Sequence, residues 1–169
     1  MNFMLQKAKN LSLLVVVMVA ISVAAPAVAQ NSAIEGTWEL MSRTLPDGQI
    51  VKNPDIQGVL NFAGGYRNIN VLFRTPDGSW GSYSAVASYK ISSNRYTETL
   101  HFVVAKGLTP DNNETQYDVP GATNSSAVER RGKIVRIQPP FDPPTWVFEG
   151  DTMTATLDGA FVDSWRRVR

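Results

Sequence analysis

The chain of 169 residues carries 16 Lys and Arg against 15 Asp and Glu, a single histidine and no cysteine. Without thiols there are no disulfides, thiolate metal sites, iron–sulfur clusters or cysteine catalysis, and with His101 alone there is no histidine metal pair. The near balance of charge offers no basic surface for nucleic acid or an anionic membrane, so neither is expected as a partner.

From the N-terminus, Met1 to Asn10 contains Lys7 and Lys9 and no acid, and the run that follows to Ala25 is almost wholly apolar. Pro26 then leads into Ala27-Val28-Ala29, a small-x-small pattern before Gln30. A basic start, an apolar run of about 15 residues and such a site mark a secretory leader, whereas a membrane-spanning helix needs about 20 apolar residues. Cleavage after Ala29 is expected, giving residues 30–169 as one domain, periplasmic or secreted, with no stable membrane anchor. Both leader lysines depart with it, so 14 basic and 15 acidic side chains remain and the net charge becomes −1. A domain of this size buries about two-thirds of its unfolded surface, enough for one core that is stable through packing.

From Gly36 onward, short β-branched and aromatic runs alternate with turn residues. They predict strands over Gly36–Arg43, Gly58–Phe62, Tyr66–Arg74, Trp80–Ile91, Tyr96–Val104, Val128–Arg131, Lys133–Ile137, Thr145–Phe148, Thr152–Leu157 and Phe161–Val168. Two Pro-Asp-Gly turns, at 46–48 and 76–78, and Ala63-Gly64-Gly65 mark tight connections. Lys106 to Asn124 is polar and aperiodic, long enough for a lid or a lip, and Pro139 to Pro144 is a stiff connection. No helical periodicity extends beyond about one turn outside the leader. Many short strands joined mostly by hairpins predict an all-β fold, a closed antiparallel up-and-down β-barrel of about 8 to 10 strands with room for one small ligand.

Gly36-Thr37-Trp38-Glu39-Leu40 resembles the Gly-x-Trp motif that opens the first strand of lipocalins. Ser164-Trp165-Arg166-Arg167-Val168 resembles the last strand of bacterial lipocalin-like domains of the calycin superfamily. The resemblance implies a structural closure, with Trp38 shutting one end of the barrel and an arginine of the last strand lying across its indole. Alternation puts Arg167 on the face of Phe161 and Trp165, which favours it over Arg166. Gly36, Trp38 and Arg167 are thus expected to serve closure. The chain lacks the disulfide and the Thr-Asp-Tyr loop motif of classical lipocalins, and no ligand preference carries over.

Motifs for chemistry are sparse. Gly78-Ser79-Trp80-Gly81-Ser82 does not match a Gly-x-Ser-x-Gly elbow, and no glycine loop precedes a helix, so no cofactor and no metal are expected. Along Trp80–Ile91 one face reads Tyr83, Ala85, Ala87, Tyr89 and Ile91. Small residues between two tyrosines would leave space in a lumen wall, or the alanines would face a filled core. In Tyr96–Val104, alternation separates Tyr96, Glu98, Leu100 and Phe102 from Thr97, Thr99, His101 and Val103, and both faces remain candidates for the lumen. Facing inward, His101 would be a base or a partner for a ligand head group; facing outward, a surface residue. Trp146 and Phe148 share one face, as core or lumen wall. Arg130-Arg131-Gly132-Lys133 reads as a solvated turn or a grip for carboxylate at a barrel mouth, and Asn113-Glu114-Thr115 and Asn124-Ser125-Ser126 match the glycosylation pattern.

The leading expectation is an exported protein holding a small hydrophobic or amphipathic molecule in its lumen, with Tyr83, Tyr89, His101 and Trp146 as contacts. One alternative is a cofactor-independent isomerase, cyclase or hydratase, with His101 or Glu98 as acid or base in a water-excluding lumen. The other is a structural or interaction module with a filled core.

Overall fold

The computed structural model describes residues 33–108 and 114–169; the segment expected from sequence to be a leader, its expected cleavage after Ala29, and Asn113 of the first glycosylation pattern lie outside the described residues. The strands are β1 (Gly36–Thr44), β2 (Ile50–Val51), β3 (Ile56–Ala63), β4 (Tyr66–Arg74), β5 (Trp80–Ile91), β6 (Arg95–Lys106), β7 (Gln116–Asp118), β8 (Thr123–Arg131), β9 (Ile134–Ile137), β10 (Thr145–Glu149), β11 (Thr152–Leu157) and β12 (Phe161–Arg167). Ten of them pair antiparallel in chain order, and β12 returns to pair with β1. The sheet is therefore a closed up-and-down barrel, with β2 attached to β1 and β7 to β6 outside the circuit. Closure leaves no open edge along the ten staves.

The ten staves are the ten strands that alternation predicts. The polar stretch from Lys106 to Asn124 differs from expectation, since it contains β7 and the start of β8. Threonine and serine hydroxyls explain the longer β8: Thr97 pairs with Ser125 at 2.9 Å and Thr99 with Thr123 at 2.7 Å across β6 and β8. Cross-strand hydroxyl pairs of this kind stabilise a ladder without any apolar alternation to reveal it.

One end of the barrel is shut by aromatic packing. Trp38 lies opposite Arg167 in the β1–β12 register, and the guanidinium sits 4.3 Å from the indole centroid. Arg167 also donates to the carbonyls of Glu35, Ala33 (2.9 Å) and Gly150 (3.2 Å), while the indole N–H donates to Ile34 O at 2.9 Å. The two terminal motifs thus meet, with Arg167 over the indole of Trp38. Gly36 cannot be replaced cheaply, because its φ is +123° and a Cβ there would stand 3.1 Å from Arg167 Nη1. Above this closure, Phe62, Phe148, Trp146, Tyr89 and Tyr96 pack as edge-to-face and stacked rings, forming a floor.

Two bulges reset which residues face inward. In β1, Met41 is the extra residue between Leu40, opposite Trp165, and Ser42, opposite Ser164. In β6, His101 is the extra residue between Leu100, opposite Ala87, and Phe102, opposite Val86. Each insertion shifts the alternation by one. Trp38 and Leu40 are followed inward by Arg43, and Tyr96, Glu98 and Leu100 by Val103 and Ala105, while Phe102 is left exposed.

Candidate functional site

Above the aromatic floor the barrel holds a cavity of about 370 Å³. Its walls are mainly apolar: Leu60 from β3, Ile69, Val71 and Phe73 from β4, Trp146 from β10, Met153 and Ala155 from β11, and Phe161 and Trp165 from β12. Pro143 and Pro144 of the connection between β9 and β10 border it, as do Leu108 and Ala160. These lie at the end of the barrel away from Trp38, where the chain's Pro-Asp-Gly turns also gather.

Charged groups enter this apolar space in pairs. Arg43 grips Asp163 in fork geometry, Nε to Oδ1 at 2.7 Å and Nη2 to Oδ2 at 2.8 Å. Its guanidinium also lies 3.8 Å from the Phe161 centroid and 5.7 Å from that of Phe73. Burial raises the Asp163 carboxyl above its ordinary pKa, and the hydrogen bonds and charge of Arg43 only partly offset this.

A second group lies deeper. Arg67 and Glu98 are both fully buried and bonded twice, Nε to Oε2 at 3.1 Å and Nη2 to Oε1 at 2.8 Å. Arg67 Nη1 is also 2.7 Å from Asp142 Oδ2, an ion pair without hydrogen-bond alignment, and the guanidinium faces Trp146 at 5.3 Å. Phenols complete the carboxylates: Tyr96 donates to Glu98 at 2.5 Å, and Tyr83 donates to Asp142. Burial alone would lower the pKa of Arg67, but Asp142 and Glu98 more than offset it and keep the guanidinium charged. Burial, then the neighbouring carboxylate, raises the phenol of Tyr83 beside Asp142 and that of Tyr96 beside Glu98. Both tyrosines are therefore fixed as donors at neutral pH.

Of the residues singled out from sequence, Tyr83 and Trp146 line the cavity. Tyr89 instead belongs to the floor, stacked on Tyr96 and edge-on to Phe62. Glu98 is inside the barrel, committed to Arg67 and Tyr96 rather than to the cavity wall. His101 corrects the inward expectation: as the bulge residue it turns toward the exposed ring of Tyr66, 6.2 Å away, and lines no part of the cavity. Ala85 and Ala87 pack with Leu100, and Phe141 of the proline-rich connection fills the room they leave, so they face core. The Arg130–Lys133 turn lies at the Trp38 end rather than at a mouth, with Arg130 Nε donating to Ser93 O at 3.2 Å. Asn124 of the second glycosylation pattern is exposed on β8.

Four lumen residues escaped the sequence reading. Arg67 shares its strand face with Ile69, Val71 and Phe73, and a lone charge in an apolar row was the available signal. Asp163 carries the same signal between Phe161 and Trp165. Arg43 was hidden by the Met41 bulge, and Asp142 sits in a connection without periodicity. Among the described residues no group of three or more His, Cys, Asp or Glu side chains is placed to hold a metal ion.

No family model and no curated protein matches the chain. Among solved structures it is similar to a lipocalin-like protein from Bacteroides uniformis, at 14% identity and a TM-score of 0.35, over 80% of this chain and 99% of that one. At that level the likeness carries no weight for the site; the architecture rests on the strand pairing itself.

Proposed function

We propose that this is an exported binding protein that holds a small, mainly apolar molecule in its barrel lumen. The observation that carries the reading is the cavity of about 370 Å³, apolar on most of its wall with a few fixed polar groups. Ligand sites typically span about 300–1,000 Å³ with this distribution of polarity, so the occupant is at the small end. A filled-core interaction module would have no use for such a space. Acid–base catalysis loses its candidates, because His101 lies outside the cavity and Glu98 is consumed by Arg67 and Tyr96. Export rests on the leader pattern of residues 1–29.

The test is native mass spectrometry of protein isolated from its own host, wild type beside Ala155→Phe, which fills the lumen from β11. A co-purified small molecule on wild type, absent from the variant, supports lumen binding. The same molecule retained in equal amount by both would place it elsewhere and refute the reading.

A further inference from the structure

We infer that Phe141 and Asp142 are an internal occupant of the lumen, standing in for a ligand with an apolar body and a carboxylate, and that such a ligand binds by displacing the β9–β10 connection from Arg67 and Tyr83. This rests on the reading of the lumen as a binding site and gives that site a second part and a chemical class.

Between β9 and β10 the chain dips into the barrel. Phe141 packs against the cluster of Ala85, Ala87 and Leu100, and Asp142, 5% exposed, reaches Arg67 and Tyr83. Asp142, Pro143 and Pro144 are at the same time wall of the cavity, as is Tyr83. The connection therefore divides the lumen, with the cavity on one side and the alanine recess of β5, filled by Phe141, on the other. Small residues on β5 leave room for a ring, and the chain itself supplies that ring beside a carboxylate.

Side chains hold this occupant in place. Among the described residues, no backbone–backbone hydrogen bond outside the strand ladders involves residues 139–144, four of which are prolines without an N–H. Gln138 Nε2 donates to Pro143 O at 2.7 Å, a bond within the connection that can travel with it. The hold on the carboxylate is incomplete: Arg67 Nη1 and Asp142 Oδ2 are 2.7 Å apart, yet neither atom makes an aligned hydrogen bond. The backbone fixes where Asp142 can place its oxygens. An untethered carboxylate in the same position can turn to meet both Arg67 Nη1 and the Tyr83 hydroxyl, and such charge-assisted bonds are about twice as strong as neutral ones. Exchanging one carboxylate for another also leaves Arg67 between two anions, as it is now, whereas withdrawing Asp142 for a neutral ligand breaks a buried ion pair without replacement.

Tethering presents Asp142 to its site at an effective concentration on the order of millimolar, so deleting the occupant must strengthen a ligand that competes with it. Three probes, 6-phenylhexanoate, 6-phenylhexanamide and 2-nonanone, are titrated calorimetrically at neutral pH into wild type and a variant carrying both Phe141→Ala and Asp142→Ala. The ketone needs only the cavity and reports the lumen itself. The expected result is that the variant binds the carboxylate at least roughly tenfold more tightly than wild type does, a gain at least about fivefold larger than the amide's. Ketone binding by the variant shows that it is folded. If it is not, wild type decides alone: the carboxylate should raise chymotrypsin cleavage after Phe141 at least about fivefold by populating the displaced connection, and unchanged cleavage overturns the inference. In a folded variant, no gain for the carboxylate, or an equal gain for the amide, overturns the internal-occupant assignment, while ketone bound to wild type leaves lumen binding intact. Failure of all three probes to bind either protein overturns both.

Discussion

Arg67 stands between two carboxylates in the dry interior, so its removal leaves two buried charges without their counterion. Arg67→Met is expected to lower unfolding stability by about 3–5 kcal/mol in urea titration, and adding Glu98→Leu to recover part of the loss, because breaking a buried pair costs more than replacing it. Tyr89 gives a pH signature. Burial, and then the Glu35 carboxylate, pushes its phenol up to about 12 from an ordinary 10. The folded state thus keeps a proton that the unfolded state gives up. Its contribution is whole below pH 10 and is lost as pH climbs from 10 toward 12, at up to about 1.4 kcal/mol per pH unit. Tyr89→Phe should flatten that alkaline decline in unfolding midpoints while keeping the ring's stacking on Tyr96 and its edge-on contact with Phe62. At this scale the two motifs were readable because Trp38 and Arg167 lie in the first and last staves, where alternation around them is intact. The lumen charges were less so, because a charge in an apolar row gains meaning only when its partner strand is known.

Among the elements, the β9–β10 connection does more than join strands. Phe141 packs over Ala85 and Ala87, and Asp142 reaches Arg67 and Tyr83, so the segment is fastened to the lumen at two points. Asp142→Ala should release it, raising chymotrypsin cleavage after Phe141 at least roughly tenfold, the effect of losing one charge-assisted bond on an opening equilibrium. An unchanged cleavage rate would mean that proline stiffness alone holds the segment. The bulges explain why strand positions were legible while facing was not. Turn residues and apolar runs marked all ten staves, but one inserted residue at Met41 and another at His101 inverted every facing beyond them. Local composition carries no signal for such an insertion, since both neighbours of each bulge remain good strand residues.

For the whole molecule, closure and cavity are two ends of one design. The Trp38–Arg167 end depends on a planar fork that can cover an indole and donate to three carbonyls together. Arg167→Lys keeps the charge but not the fork, and should lower stability by about 1–3 kcal/mol in chemical denaturation with the ligand cavity unaffected. The other end leaves about 370 Å³ for an occupant. The most direct test of lumen binding is a nuclear Overhauser experiment on wild-type protein with 2-nonanone, read at the methyl groups of Met153 and Ala155. Lumen binding predicts cross-relaxation from the ligand to both methyls. Contacts confined to outward residues such as Tyr66 and Phe102 would contradict it.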